Sequence, residues 1–270
     1  MLTLATQKPG EPEIFASLQG EGPSAGQPVA FMRLSRCNLA CVWCDTAYTW
    51  HFTGDERPHR SDETYDRAAN QVKMESADAA ARIAALGQDR LVITGGEPLM
   101  QAAGLAGMLD HLDTLMIPRE GGGLPKGQSR AERDPRLRGG SLNVEIETNG
   151  TVAPPARLDE RVDQYNVSPK LAHSGNPAEL ALKPDMLDRW AADERAWFKF
   201  VVAEPADVDE VLALARTHAI AANRIYLMPE GTDSATLRSR EQWLAPLCLE
   251  HGFRMSDRLH IHLYGDTRGT

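Results

Sequence analysis

The chain has 270 residues and 29.6 kDa, with 42% hydrophobic and 25% charged residues. That is the balance of an ordinary globular protein long enough to bury a substantial core. Thirty-eight acidic against twenty-nine basic side chains give a net charge of −9, which argues against a general binder of nucleic acid or anionic membrane. No apolar run approaches the roughly 18 residues that span a bilayer. The N-terminus lacks the charged-then-apolar order of a signal peptide, and four cysteines, three of them clustered, do not read as a disulfide framework. A cytoplasmic, oxygen-sensitive protein is expected.

Residues 1–12 read as a short polar lead. Glu13-Ile14-Phe15-Ala16-Ser17-Leu18 alternates apolar and polar as a half-buried strand does. Gln19-Gly20-Glu21-Gly22-Pro23 then breaks it with a tight loop. A second strand, Val29–Leu34, leads into the cysteines, with Arg33 just ahead of them. Residues 50–62 are polar and read as an exposed loop. The alanine-rich stretch Ser76–Leu86 predicts a helix with Ser76 as N-cap and Gly87 as stop. Arg90–Thr94 reads as a buried strand running into Gly95-Gly96-Glu97-Pro98, and Leu99–Leu115 as helix. Residues 119–141 hold six glycines and two prolines among many charges. Such a stretch buries too little apolar surface to offset its ordering cost, so it reads as an insertion loop, with a lid or partner-binding segment as the rival.

After the insertion, strands are expected at Leu142–Thr148, Gln164–Val167, Ala196–Val202, Arg224–Met228 and His260–Tyr264, with helices over 205–219 and 233–251. About seven strands alternating with helices predict a mostly parallel α/β sheet in one domain over residues 1–270. Strand after strand ends in a polar or glycine-rich cluster: Thr94-Gly95-Gly96-Glu97, Glu147-Thr148-Asn149-Gly150, Ser168-Pro169-Lys170 and Met228-Pro229-Glu230. Ligands of such sheets gather at the carboxyl ends of the strands, so these clusters should converge on one mouth with the cysteine loop.

Cys37, Cys41 and Cys44 lie within eight residues. One turn brings three thiolates at this spacing onto one face of a small metal centre, and thiolate sulfur favours iron–sulfur clusters, zinc or Cu(I). Three ligands are one short of a closed tetrahedral site. Either a distant residue such as Cys248 or a histidine completes it, or one metal position stays open for chemistry. Cys248, beside Leu244 and Leu247, reads as core. Gly95-Gly96-Glu97 offers glycines where backbone must approach closely and a carboxylate that can bind an ammonium.

The Cys-x3-Cys-x2-Cys spacing with Trp43 before the last cysteine resembles the signature of the radical S-adenosylmethionine (SAM) enzymes. Within that superfamily the chain resembles the 7-carboxy-7-deazaguanine synthase family over nearly its whole length. The resemblance runs through Phe15–Gly22, Phe31–Leu34, Cys37-Asn38-Leu39, Trp43-Cys44-Asp45-Thr46, Thr94–Pro98, Glu147–Thr151, Ser168-Pro169-Lys170 and Gly265–Gly269. It implies an abbreviated (β6/α3) partial barrel, usually homodimeric, with a [4Fe–4S] cluster whose unique iron SAM chelates. It also implies Mg2+, an electron donor such as a flavodoxin, and a pterin substrate. The implied reaction turns 6-carboxy-5,6,7,8-tetrahydropterin into 7-carboxy-7-deazaguanine with loss of ammonia, on the route to queuosine and related deazapurines. SAM serves there as a true cofactor.

By the same resemblance Cys37, Cys41 and Cys44 hold the cluster and Thr46 binds Mg2+. Arg33 holds the substrate carboxylate, a task suited to a guanidinium fork. Leu18, Gln19, Gly20 and Glu21 surround the pterin, Thr94 touches it, and the chain end at Thr270 reaches it. Gly95, Gly96 and Glu97, with Glu97 on the amino group, contact SAM, as do Ser168, Pro169, Lys170 and Met228-Pro229-Glu230-Gly231. His260 matches a recurring family histidine. Two features depart from the pattern: residues 119–141 are longer and looser than the family core, and Glu230 stands where an amide or other polar residue can occur. The rival readings are another small radical SAM enzyme, such as a glycyl-radical activase, and a non-catalytic zinc- or cluster-binding module.

Overall fold

A computed structural model describes residues 1–116 and 142–270; the expected insertion at 119–141 lies outside the described residues. Eleven strands among them join one sheet. They are β1 (Leu2–Lys8), β2 (Glu11–Pro12), β3 (Ile14–Leu18), β4 (Pro28–Leu34), β5 (Gln71–Met74), β6 (Arg90–Gly95), β7 (Asn143–Thr148), β8 (Gln164–Val167), β9 (Ala196–Val202), β10 (Ile225–Pro229) and β11 (Arg254–Met255). Strands β4, β6, β7, β8, β9 and β10 lie parallel, side by side and in that order. β11 adds a parallel edge, whereas β1 and β3 pair with β4 antiparallel. The sheet is open, as a partial barrel requires.

The connecting helices are α1 (Arg67–Asn70), α2 (Ser76–Ala85), α3 (Ala102–Met116), α4 (Ala156–Asp159), α5 (Ala178–Ala181), α6 (Pro184–Ala192), α7 (Ala206–Thr217), α8 (Ser234–His251) and α9 (Leu259–Tyr264). None of the described helices is long and apolar enough to cross a membrane. α8 shows how local chemistry sets the ends. Asp233 accepts from the Ala235 and Thr236 amides at 3.0 and 2.9 Å, and Gly252 closes the helix in the left-handed conformation at φ +68°.

The pleat of the parallel strands explains where the site lies. Successive side chains point to opposite faces. Met32 and Leu34, Leu91 and Ile93, Val144 and Ile146, Phe198 and Phe200, Ile225 and Leu227 all enter the main core, where α2, α3 and α6 supply Ile83, Leu105 and Trp190. The residues between them face the other way: Phe31 and Arg33, Thr94, Glu147, Asn166, Lys199 and Val201, and Met228. One face is therefore packed against helices and the other left for chemistry.

Several sequence expectations need correction. The lead at 1–12 contains β1, whose Leu2, Leu4 and Ala5 are fully buried. Its threonines misled because they are buried with partners, Thr6 donating to the Ala69 carbonyl at 2.7 Å. Ser76 is the first helical residue, not the cap; Glu75 occupies that position, and the Ser76 hydroxyl donates to the Gly104 carbonyl at 3.0 Å. The loop at 50–62 begins with three buried residues, Trp50, His51 and Phe52. His260–Tyr264 is helix α9 rather than a strand. Its Ile261–Leu263 alternation imitated a strand, yet Leu263 is 51% exposed, and the sheet beyond β10 is already taken by β11.

Candidate active site

The chemistry face of the sheet opens into one cleft. Its walls are the cysteine loop after β4, the Gln19–Glu21 loop after β3, and the chain end from Asp266 to Thr270. The loop after β4 is held from below by β6. Gly95 sits at φ +135°, and a side chain there would strike the Leu34 backbone. A Cβ on Gly96 would collide with the Arg36 carbonyl and come within 2.9 Å of the Cys37 nitrogen. The two glycines thus let one strand end pack directly beneath the cysteines, a close approach of backbone to backbone.

All four cysteines are free, and the three of the loop line the cleft. Burial pushes the thiols up, Cys37 to about 12 and Cys44 to about 11, each helped by neighbouring negative charge. Such sulfurs become thiolates only against a strong positive charge, which a metal centre provides. Each sulfur also has a polar neighbour. The Leu39 amide donates to Cys37 at 3.4 Å, the Asn176 side chain to Cys41 at 3.3 Å, and the Thr46 hydroxyl lies 3.6 Å from Cys44. One buried and two half-buried cysteines, with donors around their sulfurs, fit an iron–sulfur cluster with one iron open. Cys248 lies in the hydrophobic core instead and is not part of the cleft lining.

Across from the cysteines, the floor carries a charge network. Arg33 donates from Nε to Glu13 at 2.8 Å, and Tyr48 Oη donates to the same carboxylate at 2.9 Å. Burial opposes the Arg33 charge, but Glu13, Tyr48 and Asp45 together outweigh it and keep the guanidinium a cation. Its terminal nitrogens make no hydrogen bond among the described residues. Gln19 donates to Glu145 and Glu147 at 3.0 and 3.1 Å, and Thr94 to Glu147 at 2.7 Å. Glu21 is gripped twice, by Lys199 and by Arg258 Nε, the latter at 3.1 Å. Burial alone would raise its carboxyl, but the two cations hold it well below the usual range. Arg258 also binds Asp45 and, at 2.5 Å, the Gly231 carbonyl.

A model described as a 4Fe-4S single cluster domain matches residues 18–119. The 7-carboxy-7-deazaguanine synthase of Pyrobaculum aerophilum is 35% identical, with 95% of each chain covered. That of Halobacterium salinarum is 34% identical over 96% of this chain and 91% of its own. The chain belongs to the 7-carboxy-7-deazaguanine synthase family. The crystal structure of QueE from Escherichia coli aligns with a TM-score of 0.59 at 26% identity, covering 96% of this chain and 95% of that one. As a 7-carboxy-7-deazaguanine synthase family member the chain carries the radical SAM fold, and with it a [4Fe–4S] cluster and SAM as cofactors.

Most residues singled out from the sequence meet in the cleft of this family member. Leu18, Gln19, Gly20, Glu21, Arg33, Thr46, Thr94, Gly95, Gly96, Ser168, Lys170, Met228, His260 and Thr270 line it together with the three cysteines. Glu97, Pro169, Pro229, Glu230 and Gly231 do not. Glu97 is fully buried, and its carboxylate is filled by the Leu99 amide, the Thr148 hydroxyl and the Asn149 amide at 2.8–2.9 Å. It ties the end of β6 to the end of β7. Glu230 is paired with Arg60 and Arg240.

Other site residues escaped sequence reading. Lys199 was detectable as a lone cation inside the apolar run Ala196–Val202, since an unpaired lysine is almost never buried. Glu145, an acid inside the strand Asn143–Thr148, gave a similar signal. Arg258 and Asn176 gave none, because their partners lie far away in the chain.

Proposed function

We propose that this chain is a radical SAM lyase that converts 6-carboxy-5,6,7,8-tetrahydropterin to 7-carboxy-7-deazaguanine with loss of ammonia. The observation that supports the reading is the cleft itself, which Cys37, Cys41 and Cys44 line together with Arg33, Gln19, Glu21 and Glu147. Cys37, Cys41 and Cys44 hold the cluster. Bound together there, the cluster and SAM would supply the one-electron, hydrogen-abstracting chemistry that the reaction needs.

The remaining work falls to the protein. Arg33, braced by Glu13, turns its terminal nitrogens to the substrate carboxylate and fixes that end of the pterin. Thr46 binds the Mg2+ that orients the same carboxylate, a hard cation suited to oxygen ligands. Gln19, Glu21 and Thr94 receive the polar ring edge, with Leu18 and Gly20 shaping the loop and the Thr270 carboxylate closing over it. Gly95, Gly96, Ser168, Lys170 and Met228 make the nearer SAM contacts. Glu97, Pro169 and Pro229-Glu230-Gly231 serve them from behind, by holding strand ends and loops in place. We read residues 1–270 as one radical SAM unit, acting in the cytoplasm as a homodimer and reduced by a flavodoxin-like donor.

Product analysis under anaerobic conditions tests this. Reconstituted protein receives reductant, Mg2+, sub-stoichiometric SAM and the carboxytetrahydropterin, with mass spectrometry as readout. More deazaguanine than SAM supplied establishes the reaction and the catalytic use of SAM. Cleavage of SAM without deazapurine keeps the superfamily and sinks the substrate.

A further inference from the structure

The loop that follows β8 carries a residue no cysteine motif contains, and it clasps that motif from outside. Asn176 donates from Nδ2 to Cys41 Sγ at 3.3 Å and accepts at Oδ1 from the Ala40 amide at 2.9 Å. The amide orientation is fixed by its neighbours. Reversing it would point an NH2 group at the Ala40 N–H, a donor against a donor. The loop is built to deliver this side chain. Ser174 is fully buried, and its carbonyl accepts from the Val42 amide at 2.9 Å. Gly175 turns at φ +75°, where a Cβ would come within 2.7 Å of Val42 Cγ1. The Asn176 contact to Cys41 is shorter than the Asn149 approach to Cys37, at 3.9 Å, and the Thr46 approach to Cys44, at 3.6 Å.

We infer that Asn176 is a positioning residue that tunes the cluster through a hydrogen bond to Cys41, raising its reduction potential. The inference rests on Cys41 being a cluster ligand. Reduction adds negative charge that the cysteine sulfurs share, so an N–H aimed at a sulfur stabilises the reduced form more than the oxidised one. Because the reaction begins with an electron leaving the reduced cluster, this contact sets both how readily the cluster is filled and how strongly it reduces. Its second bond, to Ala40, keeps the sulfur and the donor in register.

Two substitutions separate the roles. Asn176→Leu keeps the volume and loses both bonds. Asn176→Asp keeps an acceptor for the Ala40 amide, loses the donor and adds a negative charge beside the sulfur. The measurement is a redox titration of the reconstituted full chain followed by electron paramagnetic resonance, with iron and sulfide counted per chain and folding checked by circular dichroism. The expected order of potentials is wild type highest, Asn176→Leu lower and Asn176→Asp lowest, at equal cluster content. Loaded variants with the wild-type potential, or with a higher one, overturn the inference. So do variants that fold without holding a cluster, or that both fail to fold, because either result makes the residue structural. A wild-type chain that takes up no [4Fe–4S] cluster would instead sink the assignment of Cys41.

Discussion

Lys199 Nζ reaches Glu21 Oε2 across a separation of 178 residues, joining β9 to the cleft-lining loop after β3. Both side chains are nearly inaccessible, at 9% and 11% exposure. Removing one partner of a buried ion pair strands the other, at a cost of about 3–5 kcal/mol. Arg258 remains beside Glu21 in a Lys199→Met variant, so the expected loss is near the lower end, about 3 kcal/mol. Urea denaturation measures it, and pterin KM should rise in the same variant as the Gln19–Glu21 loop relaxes. A loss below about 1 kcal/mol, in the range of an exposed pair, would show that the contact is not desolvated.

Arg33 has its Nε side committed to Glu13 and its terminal side turned to the cleft. Arg33→Lys keeps the charge and loses the fork. A hydrogen bond to a charged group contributes about 1.5–3 kcal/mol, so KM for the carboxytetrahydropterin should rise roughly 10- to 100-fold while kcat falls less. Glu13→Gln should raise KM by a smaller factor, because the arginine stays but loses its brace. Steady-state kinetics at saturating SAM decides: an unchanged KM with a collapsed kcat would place Arg33 in chemistry rather than binding.

The two glycine positions separate cluster from substrate. In Gly96→Ala the new methyl meets the Arg36 carbonyl, rigid backbone that leads straight into Cys37, so the iron content of the purified protein should fall. In Gly20→Ala the methyl meets the His260 ring, a side chain that can shift, so the cluster should load normally and substrate KM should rise. Adding His260→Ala to Gly20→Ala should restore part of the loss, a non-additivity expected of residues in contact. Normal iron in Gly96→Ala would mean that the cysteine loop does not lean on β6.

Much of this architecture could be read from residue patterns, and the limits have physical causes. Runs such as Ala196–Val202 and Asn143–Thr148 announce themselves, because strands buried on both faces must be apolar or carry conspicuous polar exceptions. The short segment at His260–Tyr264 could not be settled by period, since five or six residues fit either geometry. Asn176 and the Arg258 hub were out of reach for a different reason. Arg258 lies 213 and 237 positions from the carboxylates it binds, and Asn176 lies 135 from its sulfur. No local spacing encodes such pairs, and only the sheet order brings them together.

His260 gives the fold a pH dependence of known sign. Burial pushes its pKa below 6.5, more than the Glu21 carboxylate 4.0 Å away pulls it back, with Arg258 and Arg33 opposing and Asp45 favouring the charged form. A histidine whose folded pKa is depressed binds protons more readily in the unfolded chain. Its contribution is therefore present above about pH 6.5 and is lost as the pH falls through the folded value. Glu97, Glu145 and Asp266 have raised carboxyl pKa values, each mainly from burial, and so act in the opposite direction on acidification; the wild-type curve alone will not isolate the histidine. The comparison that does is His260→Gln against wild type, with urea midpoints taken between about pH 7.5 and 5.5. Wild type should lose more stability over that interval than the variant, and α9, which donates from the Leu259 amide to the Gly20 carbonyl at 3.0 Å, should loosen first in hydrogen exchange. Parallel curves for the two proteins would mean that His260 does not titrate against the fold.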